Sequence, residues 1–153
     1  MMVTLNQPVP AWTADSTNGQ ISLSDFQGKR LVLYFYPKDN TPGCTTEAQD
    51  FRDFINAFEK ENAVIVGVSR DSIKSHTNFI TKQSLPFILI ADPEEKLCEL
   101  FGVMKMKNMY GKQVRGIERS TFLINERGVL VHEWRGVKVP NHVQTVLDTI
   151  KAL

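Results

Sequence analysis

One cysteine in this chain stands where its thiol could act as a nucleophile. The chain has two cysteines, and Cys44 lies within YFYPKDNTPGCTTEAQDFRD, residues 34–53, just before an apolar repeat typical of a helix. If Thr41 caps that helix, Pro42 takes its first position and Cys44 its third. First-turn N–H groups have no partner within the helix, and together with the helix dipole they stabilise an anion such as a thiolate. Cys44 is therefore a candidate nucleophile, and the alternative is a small apolar residue used only for packing.

Short apolar runs predict the strands that position this motif. LVLYFY (31–36), AVIVGVS (63–69) and FILIA (87–91) are rich in β-branched and aromatic residues, as expected of strands covered on both faces. STFLIN (120–125) and VLVHEW (129–134) flank a three-residue connection that ends in glycine. Such a connection predicts a β-hairpin.

Helical repeats occupy the segments between these strands. Phe51, Phe54, Ile55 and Phe58 recur at i, i+3, i+4 and i+7, which predicts one continuous helix through TTEAQDFRDFINAFEKE. The order β-α-β-α-β-α-β-β-α predicts a single α/β domain over residues 1–153, a central mixed sheet with helices on both faces. The other predicted helices are DSIKSHTNFITKQS with the stripe Ile73, Thr77 and Ile80, PEEKLCELF, and PNHVQTVLDTIKAL with the stripe Val143, Val146, Leu147 and Ile150.

Composition limits the class of function. A formal net charge of +1 argues against a dedicated nucleic-acid or membrane-surface protein, and the amino terminus does not resemble a secretory signal, so we expect a cytoplasmic protein. The cysteines lack C-x-x-C spacing and the three histidines lie far apart, so no metal site is expected. The basic cluster KMKNMYGKQVR, residues 105–115, is predicted to be a solvated loop. Its alternative interpretation is a positively charged rim beside an active site.

The motif around Cys44 resembles that of a known enzyme family. Pro37, Thr41 and Cys44 stand in the spacing P-x-x-x-T-x-x-C, which resembles the active-site loop of the peroxiredoxins, in particular the bacterioferritin comigratory protein or PrxQ branch. SLSDFQGKRLVLYFYP, VIVGVSRDS, LIADPE and KNMYGKQVRGIERSTFLIN resemble the same branch. The resemblance covers nearly the whole chain and implies a thioredoxin-like fold and a thiol-dependent peroxidase without a cofactor.

The resemblance also implies roles for residues of the loop. Cys44 would be the peroxidatic nucleophile, which attacks a hydroperoxide and becomes a sulfenic acid. Thr41 would orient the peroxide through its hydroxyl, and Pro37 would shape the loop and shield the pocket. The backbone N–H groups of Gly43 and Cys44 would bind the peroxide oxygens.

Two charged residues complete the implied site. Arg119, in IERSTFLI, matches the arginine that faces the thiolate in this family, although local sequence alone does not prefer it to Arg115 or Arg135. Glu47 occupies the family's acidic position after the cysteine, where it would position an arginine or interact with the helix amino terminus.

The chain departs from many members of this branch in lacking a resolving cysteine at either usual position. The first position holds Gln49, and the second corresponds approximately to Ile80. Cys98 is predicted to be a small apolar residue of another helix, with an unusual resolver as the alternative.

The leading interpretation is therefore a one-cysteine peroxidase that reduces hydrogen peroxide and organic hydroperoxides. An external thiol, either thioredoxin or glutathione with glutaredoxin, would restore the cysteine. A peroxide sensor or thiol relay that oxidises a partner protein is the alternative from another class. The resemblance favours a monomer or weak homodimer.

Overall fold

Two sheets organise the chain in the computed structural model, which describes residues 2–153. The larger sheet has the strand order β2-β1-β5-β4-β3-β8-β9, and β6 pairs with β7 as a separate two-stranded sheet. The strands are β1 (Thr13–Ser16), β2 (Gly19–Ser22), β3 (Arg30–Phe35), β4 (Ala63–Ser69), β5 (Ile88–Ala91), β6 (Met104–Met109), β7 (Lys112–Ile117), β8 (Ser120–Ile124) and β9 (Leu130–Arg135). The helices are α1 (Pro42–Asp53), α2 (Ile55–Lys60), α3 (Ile73–Gln83), α4 (Lys96–Leu100) and α5 (His142–Lys151), with a 3-10 turn over Leu23–Phe26.

The central sheet is mixed, as the sequence predicts. Strands β3, β4 and β5 run parallel, whereas β8 pairs antiparallel with β3 and β9 pairs antiparallel with β8. The predicted hairpin after β8 turns through Gly128, whose φ of 78° lies in the left-handed region that glycine adopts without a Cβ clash. Cys44 follows β3 at the carboxyl end of the parallel strands, where reactive groups of open α/β sheets gather.

The two faces of the sheet carry separate cores. Because side chains alternate along a strand, Leu33 and Phe35 of β3 pack in one core with α4 and the amino-terminal segment. Val32 and Tyr34 pack in the other core with α1, α2, α3 and α5. Helices on both faces were expected, and the thioredoxin-like fold is confirmed.

The single helix predicted after Cys44 is wrong, because the chain turns at Phe54 and forms α1 and α2. Phe54 has φ −98° and ψ 8°, outside regular helix geometry. The turn brings Phe51 and Phe58 into one core with ring centroids 5.9 Å apart, while Phe54 and Ile55 stay partly exposed. The four-residue stripe is thus only half buried.

The stripe predicted for α3 is also wrong. Ile73 and Thr77 are exposed, whereas His76 and Phe79 are fully buried, and Ile80 is partly buried. Hydrogen bonds satisfy both ring nitrogens of His76. A polar side chain can therefore face the core at a position that the apolar repeat does not predict. In α5, by contrast, the whole predicted stripe is buried.

Two hairpins were not predicted from the sequence. β1 and β2 are short and polar, and β1 joins the sheet through β5. The basic cluster of residues 105–115 is not a solvated loop but most of the β6–β7 hairpin, which turns at Tyr110 and Gly111. Among the described residues, no helix has the length and apolar character needed to cross a membrane.

Candidate active site

The loop after β3 delivers Cys44 to the first turn of α1. Thr41 is the N-cap residue in an extended conformation and Pro42 is the first helical residue, so Cys44 stands third, as predicted. The Thr41 hydroxyl does not cap the helix, and it donates instead to the carbonyl of Lys38 at 2.8 Å. Since its proton is used there, the hydroxyl oxygen can accept a hydrogen bond from a molecule beside Cys44.

Arg119 connects the cysteine to a buried carboxylate. Its Nη2 donates to Cys44 Sγ at 3.4 Å, and its Nη1 donates to Glu47 Oε1 at 2.7 Å. The antiparallel pairing of Phe35 with Ser120 places Arg119 beside the chain as it leaves β3. The guanidinium can thus hold a thiolate and a carboxylate with separate nitrogens.

Burial dominates the electrostatics of Glu47. The side chain is fully buried one turn after Cys44, and burial raises the pKa of Glu47 to about 7 despite the opposing charge of Arg119. Burial alone would lower the pKa of Arg119, but the charges of Glu47 and Cys44 raise it. The remaining Glu47 oxygen, Oε2, has no hydrogen-bond partner among the described residues.

Gly43 permits the close approach of the guanidinium. A Cβ built at Gly43 would lie 3.3 Å from Arg119 Nη2, closer than an ordinary van der Waals contact. The N–H groups of Gly43 and Cys44, in the first turn of α1, have no acceptor inside the helix. They remain candidate donors to a small oxygen-containing ligand at the thiol. Pro37 lies partly exposed just before this loop turns.

The β6–β7 hairpin brings further positive charge to the site. Lys107 is partly buried and donates from Nζ to the Ile117 carbonyl. Burial lowers the pKa of Lys107, the charge of Arg119 lowers it further, and the charge of Cys44 opposes both. This placement supports the alternative interpretation of the basic cluster, a positive rim beside the site. In the sequence, Lys105 and Lys107 alternate with methionines, and this two-residue repeat is the pattern that could have predicted a strand here.

His142 borders the same charged region without adding charge. It is buried at the start of α5, and its Nε2 lies 2.7 Å from the Thr121 hydroxyl oxygen. Burial, followed by the positive charge of Arg119, lowers the pKa of His142 to about 4. The imidazole is therefore neutral near neutral pH.

Cys98 lies on the other face of the sheet from Cys44. Cys44 is 2% exposed in the core that contains α1, and Cys98 is fully buried in the core that contains α4. Its backbone N–H donates to Asp92 Oδ2 at 2.8 Å, which anchors α4. Burial, with a further contribution from Asp92, raises the pKa of the Cys98 thiol well above its usual range. Both cysteines are free thiols.

Gln49 and Ile80 stand at the positions where many members of the PrxQ branch carry a resolving cysteine. In this chain both residues make contacts that hold α1 and α3 in place. The Gln49 amide donates to Gln83 Oε1 at 2.9 Å, and Arg52 donates to the Gln83 carbonyl at 2.8 Å. Ile80 packs against the core that contains Cys44. These contacts stabilise α1 in its folded position.

A cavity of about 610 Å³ lies at the opposite end of the sheet, between Trp12, Phe26, Leu31 and Ile124. It contains neither cysteine. The reactive groups are instead gathered around Cys44, where the Arg119 guanidinium and the first N–H groups of α1 lie at the thiol and the Lys107 ammonium adds positive charge nearby. Such a site can stabilise a thiolate and the charge that develops when the thiolate attacks a polar bond.

The sequence model of the AhpC/TSA family matches residues 5–133 of the chain. Among curated proteins, the chain is 51% identical to Peroxiredoxin Bcp of Bacillus subtilis, a match that covers 99% of this chain and 97% of the relative. It is 53% identical to Peroxiredoxin Bcp of Xanthomonas campestris, over 94% of this chain and 93% of that one.

Solved structures agree with these matches. A mutant of Xylella fastidiosa PrxQ superposes with a TM-score of 0.93 at 43% identity, over 99% of this chain and 98% of that one. The bacterioferritin comigratory protein of Xanthomonas campestris, studied for its alkyl peroxide reduction activity, superposes with a TM-score of 0.88 at 52% identity. That match covers 92% of this chain and 90% of the other.

Proposed function

The chain belongs to the AhpC/TSA family and is a peroxiredoxin, a thiol-dependent peroxidase, and from that premise we propose that it works with one cysteine, Cys44. Its substrates are hydrogen peroxide and organic hydroperoxides. The observation that carries the proposal is the separation of Cys44 and Cys98 on opposite faces of the central sheet.

The reaction begins at the Cys44 sulfur. The thiolate attacks one oxygen of the hydroperoxide, an S–O bond forms as the O–O bond breaks, and the leaving oxygen takes a proton and departs as water or an alcohol. The sulfur gives up two electrons to the peroxide and becomes a sulfenic acid. An external thiol then attacks the sulfenic sulfur and releases water, and a second thiol cleaves the mixed disulfide and restores Cys44.

Four groups assist the first step. Arg119 and the N–H groups of Gly43 and Cys44 stabilise the charge that develops on the peroxide oxygens, while the Thr41 oxygen accepts a hydrogen bond from the peroxide O–H. Glu47 holds the guanidinium through the 2.7 Å hydrogen bond. Pro37 shapes the loop that leads to them.

The separation of the cysteines supports resolution by an external thiol. A disulfide requires Cα atoms about 4.4 to 6.8 Å apart, whereas a seven-stranded sheet separates Cys44 from Cys98. Gln49 and Ile80 offer no thiol. Two free cysteines also fit a reducing compartment, so we propose a cytoplasmic enzyme, monomeric or weakly dimeric.

Intact-mass measurement after one equivalent of peroxide tests the one-cysteine mechanism. We expect the protein to gain one oxygen that a sulfenate reagent traps at Cys44. Cys98→Ser should behave alike and retain most turnover with an external thiol, whereas Cys44→Ser should neither gain the oxygen nor consume peroxide. Loss of two hydrogens within the monomer, or a reducible dimer through Cys98, would contradict the proposal.

Reductant screening identifies the external thiol. Peroxide consumption is followed with dithiothreitol, with thioredoxin and its reductase, and with glutathione and glutaredoxin. Steady turnover with one of these is expected of the enzyme. Rapid oxidation without turnover in all three would instead indicate a sensor or relay that requires a particular partner.

A further inference from the structure

A buried polar network anchors the loop between β3 and α1. Asp39 lies in this loop and is buried, and its side chain accepts hydrogen bonds from the Tyr36 hydroxyl at 2.6 Å and the Ser75 hydroxyl at 2.8 Å. Its Oδ2 also lies 2.8 Å from Nδ1 of His76, which is fully buried in α3. The loop is thus connected to α3 by side chains far apart in sequence.

The hydrogen bonds around His76 indicate how this pair shares its protons. Nε2 of His76 lies 2.9 Å from the Ile90 carbonyl, an acceptor, so this nitrogen carries a proton. Burial raises the pKa of Asp39, but the hydrogen bonds from His76, Tyr36 and Ser75 outweigh it and hold the pKa below its usual value. Nδ1 lies 2.8 Å from this carboxylate, the arrangement in which it donates a second proton. A buried imidazolium paired with a carboxylate accounts for both contacts of the ring.

One peptide unit connects this network to the catalytic groups. The N–H of Asp39 donates to Asp71 Oδ2 at 2.9 Å, and Ser69 at the end of β4 donates to the same oxygen at 2.6 Å. The carbonyl of the same planar peptide, that of Lys38, accepts the Thr41 hydroxyl. Any rotation of this peptide plane would move the Thr41 oxygen.

The cluster contains three side chains of types that bind metal ions, and one ligand atom each of Asp39, Asp71 and His76 lies within 4.8 Å of the other two. Their atoms already accept or donate the hydrogen bonds above, so the cluster acts as a structural clamp. We propose that Asp39 and His76 are positioning residues of the peroxidase. Their ion pair clamps the loop between β3 and α1, residues 36–41, to α3, which keeps the Thr41 hydroxyl and Cys44 in the geometry that reduces peroxide. This inference rests on the proposed function, because the clamp acts through Cys44.

The clamp also controls access to the thiol. Cys44 is 2% exposed, so a bulky reagent reaches its sulfur only when the loop opens, whereas a small peroxide needs much less room. Loss of the clamp should therefore move two rates in opposite directions. Reaction with peroxide becomes slower because the donors are misplaced, and alkylation by a bulky maleimide becomes faster because the loop opens.

Two near-isosteric variants test the clamp. Asp39→Asn removes the carboxylate charge, and His76→Gln removes the partner of Asp39 while an amide N–H can still reach the Ile90 carbonyl. We expect each to lower the second-order rate constant for hydrogen peroxide about 10- to 100-fold. The double variant should lose little more than either single variant, because both remove the same ion pair.

Ser72→Ala is the matched control. Ser72 caps α3 by accepting the Ser75 N–H, so its loss destabilises the same helix without contact with the loop. Variants are compared by peroxide rate, by mass mapping of maleimide on Cys44, and by unfolding midpoint. Ser72→Ala should keep a peroxide rate within about twofold of the parent.

Nitrogen NMR of the imidazole gives a readout that does not depend on activity. Long-range ¹⁵N–¹H correlations should show both ring nitrogens of His76 protonated at neutral pH, with the signals assigned by their loss in His76→Gln. Asp39→Asn should abolish that pattern. Failure of the parent protein to reduce peroxide would refute the proposed function, whereas the NMR and alkylation results would still decide on the clamp.

A neutral His76 tautomer would overturn the inference. So would unchanged peroxide rates in both variants, or an equal loss of rate in Ser72→Ala. If one variant does not fold, the other and the NMR of the parent protein still decide.

Discussion

Among single residues, the proposed reaction requires donors such as Arg119 in addition to the Cys44 thiolate. An ordinary thiol is about 3% ionised at pH 7, so complete ionisation raises the thiolate population only about 30-fold. A larger acceleration must come from donors directed at the peroxide oxygens as the O–O bond lengthens. Arg119 Nη2, 3.4 Å from the sulfur, is positioned to be such a donor.

Arg119→Ala should therefore slow the reaction with hydrogen peroxide by about 100-fold or more, beyond any fall in the thiolate fraction. The thiolate fraction is measured by ultraviolet absorbance, and the second-order rate by stopped flow on the same samples. Arg127→Ala, at an exposed turn, is the control and should leave both unchanged. A rate loss that equals the loss of thiolate would leave Arg119 without a role in the transition state.

Among the secondary-structure elements, the β6–β7 hairpin carries positive charge, part of which lies close to the proposed active site. Its strands and turn contain Lys105, Lys107, Lys112 and Arg115 and no acidic residue. Only part of this charge can act on the site, because Lys107 is partly buried near Arg119 while Lys112 is exposed beside the turn. The hairpin should therefore affect the reaction through one residue.

Lys107→Met should lower the peroxide rate about two- to fivefold at low ionic strength, because a partly screened ammonium stabilises the thiolate and the transition state. Lys112→Met is the matched control in the same hairpin. Rates are compared at low and high salt, where the effect of Lys107 should shrink. Equal losses from the two substitutions would show that the net charge of the hairpin acts instead.

At the scale of the whole molecule, two buried groups give the free energy of unfolding opposite pH dependences. Glu47 has a pKa raised to about 7, so the stability it contributes is present below pH 4.5 and is lost as the pH rises towards 7. His142 has a pKa lowered to about 4, so its contribution is present above pH 6.5 and is lost as the pH falls towards 4. Comparing the free energy of unfolding of a variant with that of the parent protein separates the contribution of Glu47 from that of His142.

Glu47→Gln should therefore gain stability relative to the parent protein as the pH rises from 4.5 to 7. The relative gain is up to about 3 kcal/mol, because the parent must ionise a fully buried carboxyl and the amide does not. Urea unfolding at several pH values measures it. Glu59→Gln, on the exposed side of α2, should show no such trend, and a pH-independent difference for Glu47→Gln would mean that Arg119 fully compensates burial.

The local features of this protein follow from its amino-acid sequence. The position of Cys44 after Pro42 follows from helix-start preferences, and the buried stripe of α5 follows from its 3.6-residue repeat. The β8–β9 hairpin follows from a short connection that ends in Gly128. The resemblance to the peroxiredoxins added Arg119 and Glu47, which no local pattern distinguished from other charged residues.

Contacts between residues far apart in sequence depend instead on how the elements pack together. Arg119 reaches Cys44 because β8 pairs with β3 in one register, and strand order puts Cys98 behind the sheet. His76 is buried because Asp39 from another element satisfies it, against the apolar pattern of α3. Local periodicity reports which side of an element is apolar. It carries no information on strand order or register, on which these contacts between residues far apart in sequence depend.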